Sequence, residues 1–187
     1  MNEEEREQLQ EYRDLYNWHK KRIEANEGWL KKFYTIPDVE GTRHLDIGWG
    51  EAEAPILGAT IGVDLPWQED FELSANEQKI KTAYLKEINF EELAAKGENL
   101  PLADGTIDSV SSQFSMGDWW DLYEGLTEAI RVLRSGGKLQ IVTAQFTKDI
   151  RVIRDWLKQQ PVKNVKITKL EKDEYNSGIY GIEFTKI

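Results

Sequence analysis

The chain has 187 residues, 40% of them hydrophobic, which suits one domain with a full core, and it carries a net charge of −10. It has no cysteine, which excludes disulfides, thiolate metal sites and cysteine nucleophiles, and its two histidines, His19 and His44, stand too far apart to suggest an imidazole metal centre. No apolar run approaches the roughly 20 residues of a membrane span and the charged start lacks a signal-peptide pattern, so a soluble, cytoplasmic protein is expected.

Residues 2–32 predict one long amphipathic helix, because Leu9, Tyr12, Tyr16, Ile23, Leu30 and Phe33 recur at three-, four- and seven-residue spacings. Asn2 can cap it, and Glu3, Glu4 and Glu5 suit the positive end of the helix dipole. His19 and Asn26 interrupt the stripe, which argues against a long coiled coil. The expected organisation is a helical extension, residues 1–38, packed on a domain spanning residues 39–187. Pro37 and Gly41 mark the linker between them.

His44 to Ile47 is short and apolar, as a buried parallel strand should be, and it leads through Asp46 into a turn carrying Gly48 and Gly50. Glycines there let the backbone approach a ligand and take positive φ. A second apolar run, Ala59 to Val63, stops on Asp64, about 18 positions after Asp46 and close to the offset at which an acidic residue meets ribose hydroxyls in doubly wound folds. A dinucleotide fingerprint needs a third glycine at position 53, where this chain has Glu53. The segment from Glu51 to Gly58 also contains Pro55 and is too short for a long phosphate-binding helix. NAD and FAD are therefore disfavoured.

The combination Asp46, Gly48, Gly50 and Asp64 resembles motif I of the class I S-adenosylmethionine-dependent methyltransferases, in the subgroup with a short proline-containing loop instead of a first long helix. Trp49 stands where that subgroup often has cysteine, and Ala52 replaces the third glycine of the longer pattern. The resemblance implies a doubly wound, Rossmann-like α/β sheet, mostly parallel with a C-terminal antiparallel hairpin, and S-adenosylmethionine as cofactor. It covers roughly residues 42 to 187.

Further along, residues 75–83 are expected to be helical and Tyr84 to Asn89 to be the third strand, which would put Glu87 or Asn89 beside the exocyclic amine of adenine. The segment from Glu98 to Asp108 resembles the family's Leu-Pro and acidic-turn passage into the fourth strand; Asp104-Gly105 makes the turn, Ile107 to Gln113 is the strand, and Asp108 has a structural role at its start. Gln113, Phe114, Ser115 and Met116 should then border the transferable methyl group. Trp119-Trp120 opens a helix that runs from Asp121 to Leu133. Gly136-Gly137 ends that helix, as in the family's Gly-Gly segment, before a strand over Leu139 to Ala144. Thr147 to Gln159 suggests another helix, and alternation predicts strands over Val162 to Leu170 and Ile179 to Ile187 around a turn at Asn176-Ser177-Gly178.

The resemblance assigns Gly48, Trp49 and Gly50 to a backbone wall around the methionine portion of the cofactor, with Asp46 at the motif's head. Asp64 would take the ribose diol, Leu65 the adenine face, Glu87 the adenine amine and Gln113 the methionine end. No general base stands out; Asp118 and Tyr123 are placed to be candidates, and an acidic residue at a helix start is commonly a cap. Tyr12, Tyr16, Trp18 and Trp29 are candidate lid residues, with plain core packing as the competing role. The acceptor stays open among a small molecule, a glycan precursor and a protein side chain. Two other readings stand beside catalysis. One is a methyltransferase-like assembly module that uses the N-terminal helix as an oligomer contact. The other is a nucleic-acid subunit built on Lys148, Arg151, Arg154, Lys158, Lys163, Lys166 and Lys169, which the acidic balance disfavours.

Overall fold

The computed structural model describes residues 2–26, 42–48, 59–64, 74–113, 115, 121–143, 150–172 and 178–187. In chain order these form α1 (Glu3–Asn26), β1 (His44–Ile47), β2 (Ile61–Asp64), α2 (Ala75–Glu87), β3 (Glu91–Ala94), β4 (Ile107–Gln113), α3 (Leu122–Val132), β5 (Leu133–Thr143), α4 (Ile150–Leu157), β6 (Val162–Lys172) and β7 (Gly178–Lys186). The described strands make one sheet in the order β3-β2-β1-β4-β5-β7-β6. From β3 to β5 all neighbours are parallel, while β7 runs antiparallel between β5 and β6. This is the expected doubly wound sheet with its antiparallel closing pair. The strand order reverses between β1 and β4, which places a crevice at their carboxyl ends.

One core cluster joins the sheet to the helices behind it. Leu45, Ile47, Ile61, Val63, Leu139, Ile141 and Ile182 are buried against Leu126 and Ile130 of α3 and Ile153 and Leu157 of α4. α3 starts on Asp121, whose carboxylate accepts from the Tyr123 and Glu124 amides at 2.8 and 3.0 Å, satisfying two of the donors a helix leaves open.

A second cluster holds α1 on the domain. Leu9, Ile80, Tyr84, Leu85 and Phe90 are buried together, with Tyr12 stacked on Tyr84 at 5.5 Å and Tyr16 edge-on to it at 6.4 Å. Ion pairs Glu5–Lys79 and Arg13–Glu87, both 2.8 Å, set α1 and α2 parallel. Asn2 and Glu5 form a reciprocal capping box at the start of α1, each backbone amide donating to the other's side chain at 2.8 Å. Tyr12 and Tyr16 are thus packing residues of this helix pair. Trp18 is exposed on α1, and Trp29 lies outside the described residues.

Two expectations are corrected here. The segment from Tyr84 is the last turn of α2 and not the third strand, which is Glu91–Ala94. Ile80 and Tyr84 fall one helical turn apart and bury one face under α1, a tertiary pairing that local pattern does not reveal. Asn89, at φ 54, then ends the helix: its amide donates to Lys86 O and that of Phe90 to Leu85 O, closing the last carbonyls. The other correction concerns Gly136-Gly137. α3 stops at Val132, and β5 begins at once with Leu133 opposite Ile107. The glycines sit inside an irregular stretch of β5, before pairing resumes at Lys138 opposite Ser109. A Cβ on Gly137 would lie 2.8 Å from Arg134 O and 3.0 Å from Asp108 O, so the position is set by close approach to the start of β4.

Candidate functional site

β1 and β4 pair in register along their length, with His44 at the start of β1 opposite Ser109 and Asp46 opposite Ser111. On one face of this pair the four side chains form a buried polar chain. His44 Nδ1 lies 2.5 Å from Ser109 Oγ, His44 Nε2 lies 2.8 Å from Ser111 Oγ, and Ser111 Oγ donates to Asp46 Oδ2. His44 and Asp46 are 1% and 2% exposed, so every polar atom they carry has to be met from within the protein. Burial pulls the His44 pKa down to about 4 and keeps the imidazole neutral at pH 7.

On the other face, Ser115 Oγ donates to the carbonyl of Ile47 at 2.8 Å, and Ser112 Oγ lies 2.6 Å from Ser115 Oγ. These bonds draw the segment after β4 across the end of β1. Gly48 turns there at φ 76, with its amide donating to Val63 O at 2.7 Å, and the place a Cβ would take is only 2.2 Å from Ser115 Cβ. Glycine is therefore required by both backbone angle and space. Asp64 closes β2 beside this turn, half-buried, and its carbonyl accepts from the Ala95 amide just past β3 at 3.0 Å.

The structure thus brings Asp46, Gly48 and Asp64 to one edge of the sheet, and Gln113 ends β4 at the same edge. Trp49, Gly50, Leu65, Phe114, Met116, Asp118, Trp119 and Trp120 lie outside the described residues. Glu87 is not at this edge. It ends α2 on the approach to the amino end of β3, where Arg13 grips it through two nitrogens at 3.0 and 2.8 Å and holds its carboxyl below the usual range. Asn89 follows it in the same turn and lines a polar cavity with Thr42, Arg43 and Glu91, residues at the amino ends of the strands. Tyr123 is half-buried with its ring 5.4 Å from that of Trp156. Asp108 has the structural role expected: it accepts from the Arg43 amide at 2.7 Å and pairs with Arg134 at 2.5 Å.

His44, Ser109, Ser111 and Ser112 are the residues that reading the sequence missed. The signal was present: Asp108-Ser109-Val110-Ser111-Ser112 is unusually polar for a central strand buried on both faces.

The model of the ubiE/COQ5 methyltransferase family matches residues 21–159. The chain belongs to that family. Demethylmenaquinone methyltransferases of Bacillus cereus and Bacillus anthracis are 32% identical to it over 124 residues, covering 63% of this chain and 51% of theirs. The chain spans about half the length of the curated relatives it matches. Among solved structures, a methyltransferase of Haloferax volcanii in complex with a methyltransferase activator superposes with a TM-score of 0.64 at 15% identity, covering 91% of this chain and 94% of that one. An S-adenosylmethionine-dependent methyltransferase from Mesorhizobium loti gives 0.62 at 12% identity, covering 88% and 100%. Phosphoethanolamine N-methyltransferase 2 of Haemonchus contortus, bound to S-adenosyl-L-methionine, gives 0.59 at 15% identity, covering 91% and 56%. At these identities the superpositions speak for the fold, and they agree that it is the class I methyltransferase fold. The cofactor of this family member is S-adenosylmethionine.

Proposed function

We propose that the chain transfers a methyl group from S-adenosylmethionine to a small acceptor bound at the carboxyl edge of β1 and β4. The observation that carries this reading is the placement of Asp46, Gly48 and Asp64 at the ends of the adjacent parallel strands β1 and β2, with the strand order reversing on the other side of β1. These residues fit the cofactor. Gly48 makes the positive-φ turn that ends β1, and Asp64 offers a carboxylate at the end of β2, the position at which a ribose diol would be met. Trp49, Gly50 and Gln113 would complete the methionine end and Leu65 the adenine face, whereas Glu87, engaged by Arg13 elsewhere, is dropped from the set.

S-Adenosylmethionine brings a methyl group already activated on a sulfonium centre. What remains for the chain is to bind the two reactants in line and to exclude water, a proximity effect worth several kcal/mol. An acceptor that keeps its proton needs a base as well, and Asp118 and Tyr123 are the candidates.

The family and the curated relatives support a quinone-type acceptor as the first to screen, since those relatives are named for demethylmenaquinone. Calorimetric titration with S-adenosylmethionine should give micromolar binding, on the order of −8 kcal/mol. Binding should weaken at least tenfold in Asp64→Ala. Tight binding unaffected by that change would refute the ribose assignment. No binding, together with an altered oligomeric state on deleting residues 1–38, would favour the assembly reading.

A further inference from the structure

We infer that His44 is a positioning residue for the cofactor site, acting through Ser111 on Asp46. The inference rests on the cofactor reading above and adds to it a residue that touches no ligand.

The argument follows the protons. A serine hydroxyl has a single proton, and with Asp46 ionised that of Ser111 goes to its carboxylate. Ser111 Oγ can then only accept from His44, so the nitrogen 2.8 Å away, Nε2, must carry a hydrogen. The neutral imidazole leaves Nδ1 as an acceptor, and Ser109, 2.5 Å away, must donate to it. The chain therefore has one direction: Ser109 to His44, His44 to Ser111, Ser111 to Asp46. Each link polarises the next toward Asp46.

The register fixes the whole arrangement. His44 and Asp46 are two apart on β1 and point to one face, as do Ser109 and Ser111 opposite them on β4. All four are less than a tenth exposed. A carboxylate at the end of such a chain cannot swing to another rotamer without stripping Ser111 of its acceptor. Asp46, two residues before the Gly48 turn, is thereby held in one orientation before any ligand arrives.

The experiment is calorimetry with S-adenosylmethionine on the full chain and on His44→Leu, His44→Gln, Ser111→Ala and the His44→Leu/Ser111→Ala double variant, with a melting temperature for each. Gln keeps an amide N–H for Ser111 and a carbonyl for Ser109. The expected result is binding weakened about tenfold in His44→Leu and in Ser111→Ala, no further weakening in the double variant, and affinity within about threefold of the original in His44→Gln. Long-range proton–nitrogen NMR on the unaltered chain should show His44 as the Nε2–H tautomer. Melting temperatures that fall while affinity stays unchanged in both His44→Leu and Ser111→Ala would overturn the proposal, as would the Nδ1–H tautomer. Failure of the unaltered chain to bind the cofactor would instead overturn the reading beneath it. Should His44→Leu not fold, Ser111→Ala and the tautomer decide the matter.

Discussion

Gly48 and His44 show how much can hang on one residue of this chain. A methyl group at position 48 would meet Ser115 Cβ at 2.2 Å, and the backbone there is at φ 76. Gly48→Ala should destabilise the protein by roughly 3 kcal/mol and abolish cofactor binding, as denaturant unfolding and titration would show. Adding Ser115→Gly should recover part of the loss, because it removes the collision and leaves the backbone strain. His44 makes a prediction about pH. Its pKa is about 4 in the folded protein and near 6.5 when unfolded, so below pH 6.5 the unfolded state binds the extra proton and stability falls. The loss should reach roughly 3 kcal/mol by pH 4 and be absent above pH 7. In His44→Gln the unfolding midpoint should lose this component of its slope between pH 6.5 and 4, while the carboxylate contribution remains.

The elements differ in how readily their sequence reveals them. β1 was legible to the residue and Asp64 ends β2 as read, because a short apolar run that stops at a polar residue leaves little choice, while β4 was legible through the Asp104-Gly105 turn and the resembling segment that precede it. α2 was misread beyond residue 83 because the face of Ile80 and Tyr84 makes sense only once α1 is laid on it. The polar chain of His44 was unread for a similar reason: two serines and a histidine sixty-odd positions apart become neighbours only when β1 and β4 pair in a given register. Asp64 and Gly48 stood out in the sequence as candidates; the hydrogen bonds around them did not. Two element-level predictions follow from the packing. The Tyr84 hydroxyl is buried and finds no hydrogen-bond partner among the described residues, so Tyr84→Phe should raise stability by about 1 kcal/mol in denaturant unfolding. Arg131 donates to the carbonyls of Leu100 and Leu102 and pairs with Glu128 and Asp104, clamping the passage into β4 onto α3. Arg131→Met should cost about 2 kcal/mol and speed exchange of the Leu100 amide, which Glu128 now accepts at 2.9 Å.

Over the whole molecule, charge decides what the surface does. The basic residues that suggested a phosphate-binding stripe are partly engaged: Lys158 pairs with Asp155 at 2.7 Å and Lys166 with Glu183 at 2.7 Å. Lys163, Lys166 and Lys169 are exposed along β6, which ends the sheet, and lysines on such a strand oppose pairing with another chain. With a net charge of −10, the protein should not retain single-stranded RNA or duplex DNA in a filter assay even at about 50 mM salt. Retention that vanished with added salt would restore the nucleic-acid reading. Among the described residues, no helix is long and apolar enough to cross a membrane.

The docking of α1 on α2 also has a consequence in time. Arg13 and Glu87, like Glu5 and Lys79, are 74 positions apart, and translation proceeds at roughly 5–20 residues per second. For several seconds on the ribosome, Leu9, Tyr12 and Tyr16 have been made and their partner helix has not. During that interval the nascent chain presents a bare aromatic stripe to whatever chaperone waits at the tunnel exit.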